Sequence, residues 1–336
     1  MSTKETSNRK TDHIELAFAS QVAQLDKRFF YEPLLSAHPN KETPLASFEL
    51  AGKIMRTPIW VSSMTGGAAK AGIINNNLAR ACAEFGMGMG LGSCRIILEN
   101  DQYLNDFKLR KIIGEELPFF ANLGIAQLEE LFATNKTDLI KSLIDRTETD
   151  GLIIHVNPMQ EWLQPEGDHF HFSPLDTIKR TLDVLDKPII VKEVGQGMGP
   201  KSLNQLMQLP LEAIDFGALG GTNFAMLEIL RADENYKQSY EELVHIGHSA
   251  EDMCQIYNEL IVELKEKWQC KKVIISGGIK GFLDGYYFTN IINTNAAYGQ
   301  ASGFLKYAQG DYVILQEYVS NQIKGLKLAQ SFLTVR

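Results

Sequence analysis

Nowhere in the chain do apolar residues continue for the roughly 18 positions that a membrane-spanning helix requires. The opening stretch MSTKETSNRKTDH likewise lacks a hydrophobic signal core, so the expectation is a cytoplasmic protein without a membrane partner. Cysteine is scarce. The 4 present, Cys82, Cys94, Cys254 and Cys270, show no C-x-x-C spacing, which argues against a zinc knuckle or a disulfide framework and leaves reduced thiols. Positive charge is also in deficit, with 33 Lys and Arg against 41 Asp and Glu, a net charge of −8. Phosphate backbones need a broad basic footprint, so nucleic acid is not an expected partner. A small anion held by a local cluster stays open.

What the chain does have is 44% apolar composition over 336 residues, ample for a large core, distributed as short apolar runs between helix-like stretches. The runs are PIWVS (58–62), GMGMGLG (86–92), PFFAN (118–122), GLIIH (151–155), PIIVK (188–192), AIDFG (213–217), VIISG (273–277) and AYGQA (297–301). Segments such as LDTIKRTLDVL (175–185) and MCQIYNELIVELKEKW (253–268) separate them. Strands buried on both faces and alternating with helices are β-α units. Eight of them close most naturally into a (β/α)8 TIM barrel, an α/β fold, with a doubly wound sheet as the alternative. Residues 1–55 precede the first strand and read as an N-terminal extension to a single barrel domain, 56–336. The polar stretch 231–250 reads as an insertion or a mobile loop over the barrel mouth.

A barrel gathers its active site where the strands end, so the residues following each run carry the chemistry. Gly-Gly pairs at 220–221 and 277–278 and the glycine in GQASG (299–303) follow strands six, seven and eight. Each pair alone is commonly just a turn, but consecutive strand ends rich in glycine allow backbone N–H groups to surround a phosphate, with Thr222 adding a hydroxyl. Lys192 ends an apolar strand and either snorkels, pairs with Glu193 or Asp215, or faces a buried anionic ligand. Arg9 and Lys10 lie beside DHIELA (12–17), which looks like a helix start, so the pair is either a solvated tail or a cluster ordered at an anion. Arg95, after strand two, presents a guanidinium fork suited to phosphate.

Strand four ends in HVNPMQEWLQPEGD (155–168). His155 is placed to donate to an anion, though a lone histidine is as often structural. Asn157 and Pro158 set a turn. A carboxylate at the mouth of a phosphate site is repelled unless a divalent cation intervenes, so Glu161 points to magnesium, with an exposed loop glutamate as the plain alternative. His169 and His171 lack a third ligand and read as loop residues.

These residues resemble the type 2, FMN-dependent isopentenyl-diphosphate isomerases. The likeness runs in order through RKTDHIELA (9–17), SSMTGG (62–67), MGMGLGSCRIIL (87–98), ANLGIAQL (121–128), HVNPMQEWLQPEGD, IIVKEVGQGM (189–198), GALGGTNFA (217–225) and ISGGI (275–279). The resemblance implies a barrel that binds reduced FMN and Mg2+, takes NADPH as reductant, and interconverts isopentenyl and dimethylallyl diphosphate as a homo-oligomer, a tetramer or octamer. It implies that Arg9, Lys10, Ser93, Cys94, Arg95, His155, Asn157 and Gln160 hold the substrate, with Gln160 catalytic at its reacting end and Glu161 on the metal. The FMN contacts it implies are Ser63, Met64, Thr65, Ser93, Asn122, Lys192, Thr222, Gly277, Gly278, Ala301 and Ser302. A cation at Lys192 would favour the anionic reduced ring. The chain departs from the family at Phe282, where glycine is usual, and in INTNAAYG (292–299). A 2-hydroxy acid oxidase would share barrel and cofactor, but it needs a histidine base and an arginine directly at the late strand ends, where neither stands. A non-catalytic flavin- or phosphate-binding protein would not need Gln160 and Glu161 beside the glycines.

Overall fold

The computed structural model describes residues 3–63, 67 and 70–336. The eight apolar runs form one closed parallel barrel. Its strands are β1 (Ile59–Val61), β2 (Gly88–Gly90), β3 (Phe119–Gly124), β4 (Gly151–Val156), β5 (Ile189–Glu193), β6 (Ala213–Asp215), β7 (Lys272–Ser276) and β8 (Asn295–Gln300). The alternation of side chains along each strand divides the apolar residues into two sets. Val61, Met89, Ala121, Ile154, Val191, Ile214, Ile275 and Tyr298 turn outward beneath the helices. Trp60, Phe120, Ile153, Ile190, Ala213, Ile274 and Ala297 turn inward and fill the barrel.

The amino-terminal mouth is stoppered by a hairpin, Phe48–Leu50 against Lys53–Met55, whose Phe48, Leu50 and Met55 join the inner cluster. Its two-residue turn places Ala51 and Gly52 at φ of 52° and 74°, the left-handed geometry of tight hairpins. Two ion pairs and a hydrogen bond hold the hairpin to the strand starts: Lys53 to Asp150 at 2.6 Å, Glu49 to Lys272 at 2.6 Å, and the Ala51 N–H donating to Glu212 at 2.7 Å. Arg110, only 4% exposed, reaches Asp150 at 2.9 Å and donates to the carbonyls of Glu148, Gly114 and Leu117. A second small sheet pairs Phe29–Tyr31 with Leu333–Val335 and ties the N-terminal extension to the last residues of the chain.

Two expectations need correction. The stretch 231–250 is helical, with Glu234–Tyr240 followed by a 3-10 turn at Glu241–His245. The Asp233 side chain caps the helix by accepting from the Tyr236 N–H, and Val244 packs with Leu163, Ala225 and Ile229. A single apolar face on a short segment made it look like loop. The Asp12–Ala17 stretch closes a helix rather than starting one, since that helix spans Thr3–Leu16.

Candidate active site

One step further along each strand from the inner apolar layer, the same alternation turns Ser62, Gly90, Asn122, His155, Lys192, Asp215, Ser276 and Gly299 inward. The barrel is therefore an apolar plug topped by a polar and glycine ring. The register places His155 beside Lys192 and Lys192 beside Asp215. At Gly299 a Cβ would stand 2.6 Å from Ser62 Oγ, which shows how closely this ring is packed.

Two cavities open above the ring. The first, about 300 Å³, is walled by Gly217, Gly220, Gly221, Thr222, Gly277, Gly278, Ala301, Ser302 and Lys280. Glycine is required there: Gly277 sits at φ 89°, and a Cβ on it would lie 2.0 Å from Ala218 O. The second, about 240 Å³, is walled by Ser93, Arg95, Asn122, His155, Asn157, Gln160 and Glu161. Ser63, Lys192, Val194 and Phe224 line both, so the cavities share a wall.

The expected residues divide between them. Thr222, Gly277, Gly278, Ala301 and Ser302 face the first cavity; Ser93, Asn122, Arg95, His155, Asn157, Gln160 and Glu161 face the second. Met64 and Thr65 lie outside the described residues. Cys94 is a correction: its side chain is buried in the core, its thiol donates to Gly92 O, and its N–H is taken by Asn122 O at 2.8 Å. Burial pushes that thiol up to about 12, which leaves it a poor nucleophile, and Cys94 lines neither cavity. Arg9 and Lys10 are exposed on the Thr3–Leu16 helix and line neither cavity.

Hydrogen bonds fix the crowd after β4. Asn157 is 3% exposed and starts the Pro158–Leu163 helix; its Nδ2 donates to Gln160 Oε1 at 3.1 Å and to Glu161 Oε1 at 2.9 Å. Gln160 Nε2 in turn donates to Glu228 at 3.4 Å. Glu161 Oε2 accepts the Asp168 N–H at 2.9 Å, and Asp168 pairs with Arg95 at 2.9 Å. Gly167 makes this turn possible, because any Cβ there would lie 1.9 Å from Glu161 O. The trailing PEGD is thus the brace of the loop.

His155 Nδ1 lies 2.8 Å from Asn122 Oδ1. Asn122 Nδ2 is committed to Leu91 O at 3.0 Å, so its oxygen must face the ring, and Nδ1 carries the proton. Burial and the adjacent Lys192 ammonium pull His155 down to about 4. A neutral ring in this tautomer presents a lone pair at Nε2 and becomes an anion donor only by taking a proton.

Sequence reasoning did not single out Glu228, which is 2% exposed, holds Gln160 and is paired with Arg231 at 2.6 Å. It stands six residues beyond Thr222 in the helix Phe224–Arg231, and only the fold turns it to the site. The sequence offers Asp215 only as a partner for Lys192, yet in the fold it belongs to the ring itself.

No family model matches the chain. Among curated proteins it is 32% identical over 328 residues to the isopentenyl-diphosphate delta-isomerase of Rickettsia felis, covering 95% of this chain and 90% of that one. To the enzyme of the same name from Cronobacter sakazakii it is 33% identical over 290 residues, covering 84% and 81%. Among solved structures, the flavin-binding domain of baker's yeast flavocytochrome b2 superposes with a TM-score of 0.61 at 11% identity, over 90% of this chain and 72% of that one. A mandelate oxidase mutant carrying an FMN adduct gives 0.54 at 11% identity, over 92% and 88%. At such identities these structures speak for the barrel alone. The similarity to the curated relatives extends over more than four fifths of each chain, and the protein belongs to the isopentenyl-diphosphate delta-isomerase family.

Proposed function

We propose that the protein interconverts isopentenyl and dimethylallyl diphosphate for isoprenoid biosynthesis, with reduced FMN in the first cavity and the substrate and Mg2+ in the second. The observation that carries this reading is the shared wall, which brings Lys192 and Ser63 into both cavities at once. The residues fit the cofactor. A glycine cradle on positive-φ backbone suits a phosphate, and Ser63 Oγ is buried without a hydrogen-bond partner among the described residues. They also fit a magnesium ion that keeps most of its oxygens from water and diphosphate. Glu161 supplies one carboxylate, and no cluster of 3 or more His, Cys, Asp or Glu suited to a metal exists among the described residues.

Bound and reduced, FMN would supply an electron-rich ring and a nitrogen able to exchange a proton with the alkene. The chain's own residues do the rest. Arg95 holds the diphosphate, His155, neutral until that anion arrives, takes up a proton beside it and donates, and Lys192 offers its ammonium at the boundary between the two ligands. Gln160, held at Oε1 by Asn157 and at Nε2 by Glu228, orients the reacting end and moves a proton there. Remote binding of the diphosphate then serves the transition state.

NADPH is the proposed reductant, a visitor rather than a resident, and the cytoplasm the proposed location. No described helix is long and apolar enough to cross a membrane. A tetramer or octamer is the proposed assembly, supported by exposed Phe18, Val22, Leu25, Leu34 and Leu35 in one N-terminal segment. That segment adjoins Arg9 and Lys10, which remain proposed substrate ligands. A rival 2-hydroxy acid oxidase lacks support, because the histidine and arginine of the second cavity, His155 and Arg95, follow β4 and β2, and neither residue type stands directly at the ends of β6, β7 or β8, where that chemistry needs them. Gln160→Ala tests the assignment: turnover with isopentenyl diphosphate is expected to fall by about 10²–10⁴ with FMN binding unchanged. Full turnover in that variant would remove Gln160 from the chemistry.

A further inference from the structure

Asp215 is fully buried in the polar ring, and one of its carboxylate oxygens, Oδ2, has no hydrogen-bond partner among the described residues. The other accepts from the Ser276 hydroxyl. That hydroxyl has no freedom to turn away, because its oxygen accepts the Gly217 N–H at 3.0 Å. An ionised carboxylate with a bare oxygen persists in a barrel interior only beside a cation, and the Cα partner of Asp215 across the sheet is Lys192. Lys192 donates to Glu193 O at 2.6 Å, which engages one of its three N–H bonds.

We infer that Asp215 is a positioning residue, whose carboxylate, oriented by Ser276, sets where the Lys192 ammonium stands at the wall between the two cavities. The inference rests on the reading of the first cavity as a flavin site only for what that ammonium serves. Other groups near Lys192 do not compete for the role. His155 on β4 is neutral, and the Glu193 carboxylate is turned into the N–H groups of Gly195, Gln196 and Gly197 at 2.6, 2.6 and 2.8 Å. Burial pushes Asp215 up, and the Lys192 ammonium, the Ser276 hydroxyl and the Gly217 N–H each oppose that shift, so the neighbours that favour the ionised form are the ones the inference names. Neither Asp215 nor Ser276 needs to touch the substrate for this.

The test uses the full chain without cofactor, its lysines carrying ¹³C at the ε-methylene, with the Lys192 signal assigned by its loss in Lys192→Arg. In the wild type an anchored side chain gives two distinct ε-proton resonances. In Asp215→Asn and Ser276→Ala they collapse toward one averaged resonance, and FMN affinity of the apoprotein falls about tenfold in Asp215→Asn. A Lys192 signal unchanged in both variants overturns the inference, and if Asp215→Asn does not fold, Ser276→Ala decides alone. A wild type that binds no FMN while its variants still release Lys192 refutes the flavin reading and leaves the positioning role standing.

Discussion

Asn122 presents its side-chain oxygen to His155 Nδ1 at 2.8 Å because its amide nitrogen is already bound to Leu91 O. That single relationship fixes the tautomer of the one imidazole lining the second cavity, while burial and the adjacent Lys192 ammonium favour its neutral form.

The first prediction concerns pH. Folded His155 titrates near about 4, below its ordinary 6.5. As pH falls through 6.5 the unfolded chain takes up a proton that the folded chain refuses until about 4, so stability is full above 6.5 and declines between these values. Denaturant midpoints of wild type and His155→Gln across this range check it, since the His155 share of the slope is absent from the variant. Equal slopes in the two proteins contradict the assignment.

Arg110 offers a test of the fold alone. Its guanidinium is 4% exposed and paired with Asp150, itself the anchor of the hairpin lysine Lys53. Arg110→Ala leaves that carboxylate short of a partner and unsatisfies three carbonyls, and is expected to destabilise by about 3–5 kcal/mol. Equilibrium unfolding measures this, and a loss under about 1 kcal/mol argues that the ion pair is dispensable.

Gly277→Ala addresses the cradle. A residue with a Cβ at φ 89° is strained by about 1–3 kcal/mol, and its Cβ meets Ala218 O at 2.0 Å. The expected result is a lower melting temperature together with loss of FMN binding, read by flavin fluorescence quenching. Normal FMN affinity in the variant would falsify the placement of the phosphate at this turn.

Glu161→Gln separates the metal from the flavin. The variant keeps the shape of the side chain and drops its charge, so the Mg2+ concentration for half-maximal turnover is expected to rise at least about tenfold. FMN affinity stays where it was. An unchanged Mg2+ requirement removes Glu161 from the metal.

Much of this was legible beforehand for a definable reason. Runs such as GLIIH and PIIVK are apolar on both strand faces and end abruptly in a polar residue, so the strand, its burial and its functional end are all written in five letters. The cradle glycines and the loop from Asn157 to Asp168 are likewise local. What was not legible depends on contacts distant in sequence. Glu228 reaches Gln160 across 68 positions, and nothing around FAMLEILR distinguishes it from a surface carboxylate. Cys94 sits between two cavity residues, Ser93 and Arg95, and only the bend after β2 turns it into the core. Asp233 and Val244 order a polar stretch through a cap and one buried side chain, signals too small to stand out in composition.

The measurement that bears most directly on the account is turnover by the purified protein with isopentenyl diphosphate, Mg2+ and FMN, with and without dithionite or NADPH. Dimethylallyl diphosphate is expected only when the flavin is reduced, with no net consumption of reductant beyond that first reduction. Flavin bound but no product under either condition, or product formed at equal rate without reduction, would contradict it.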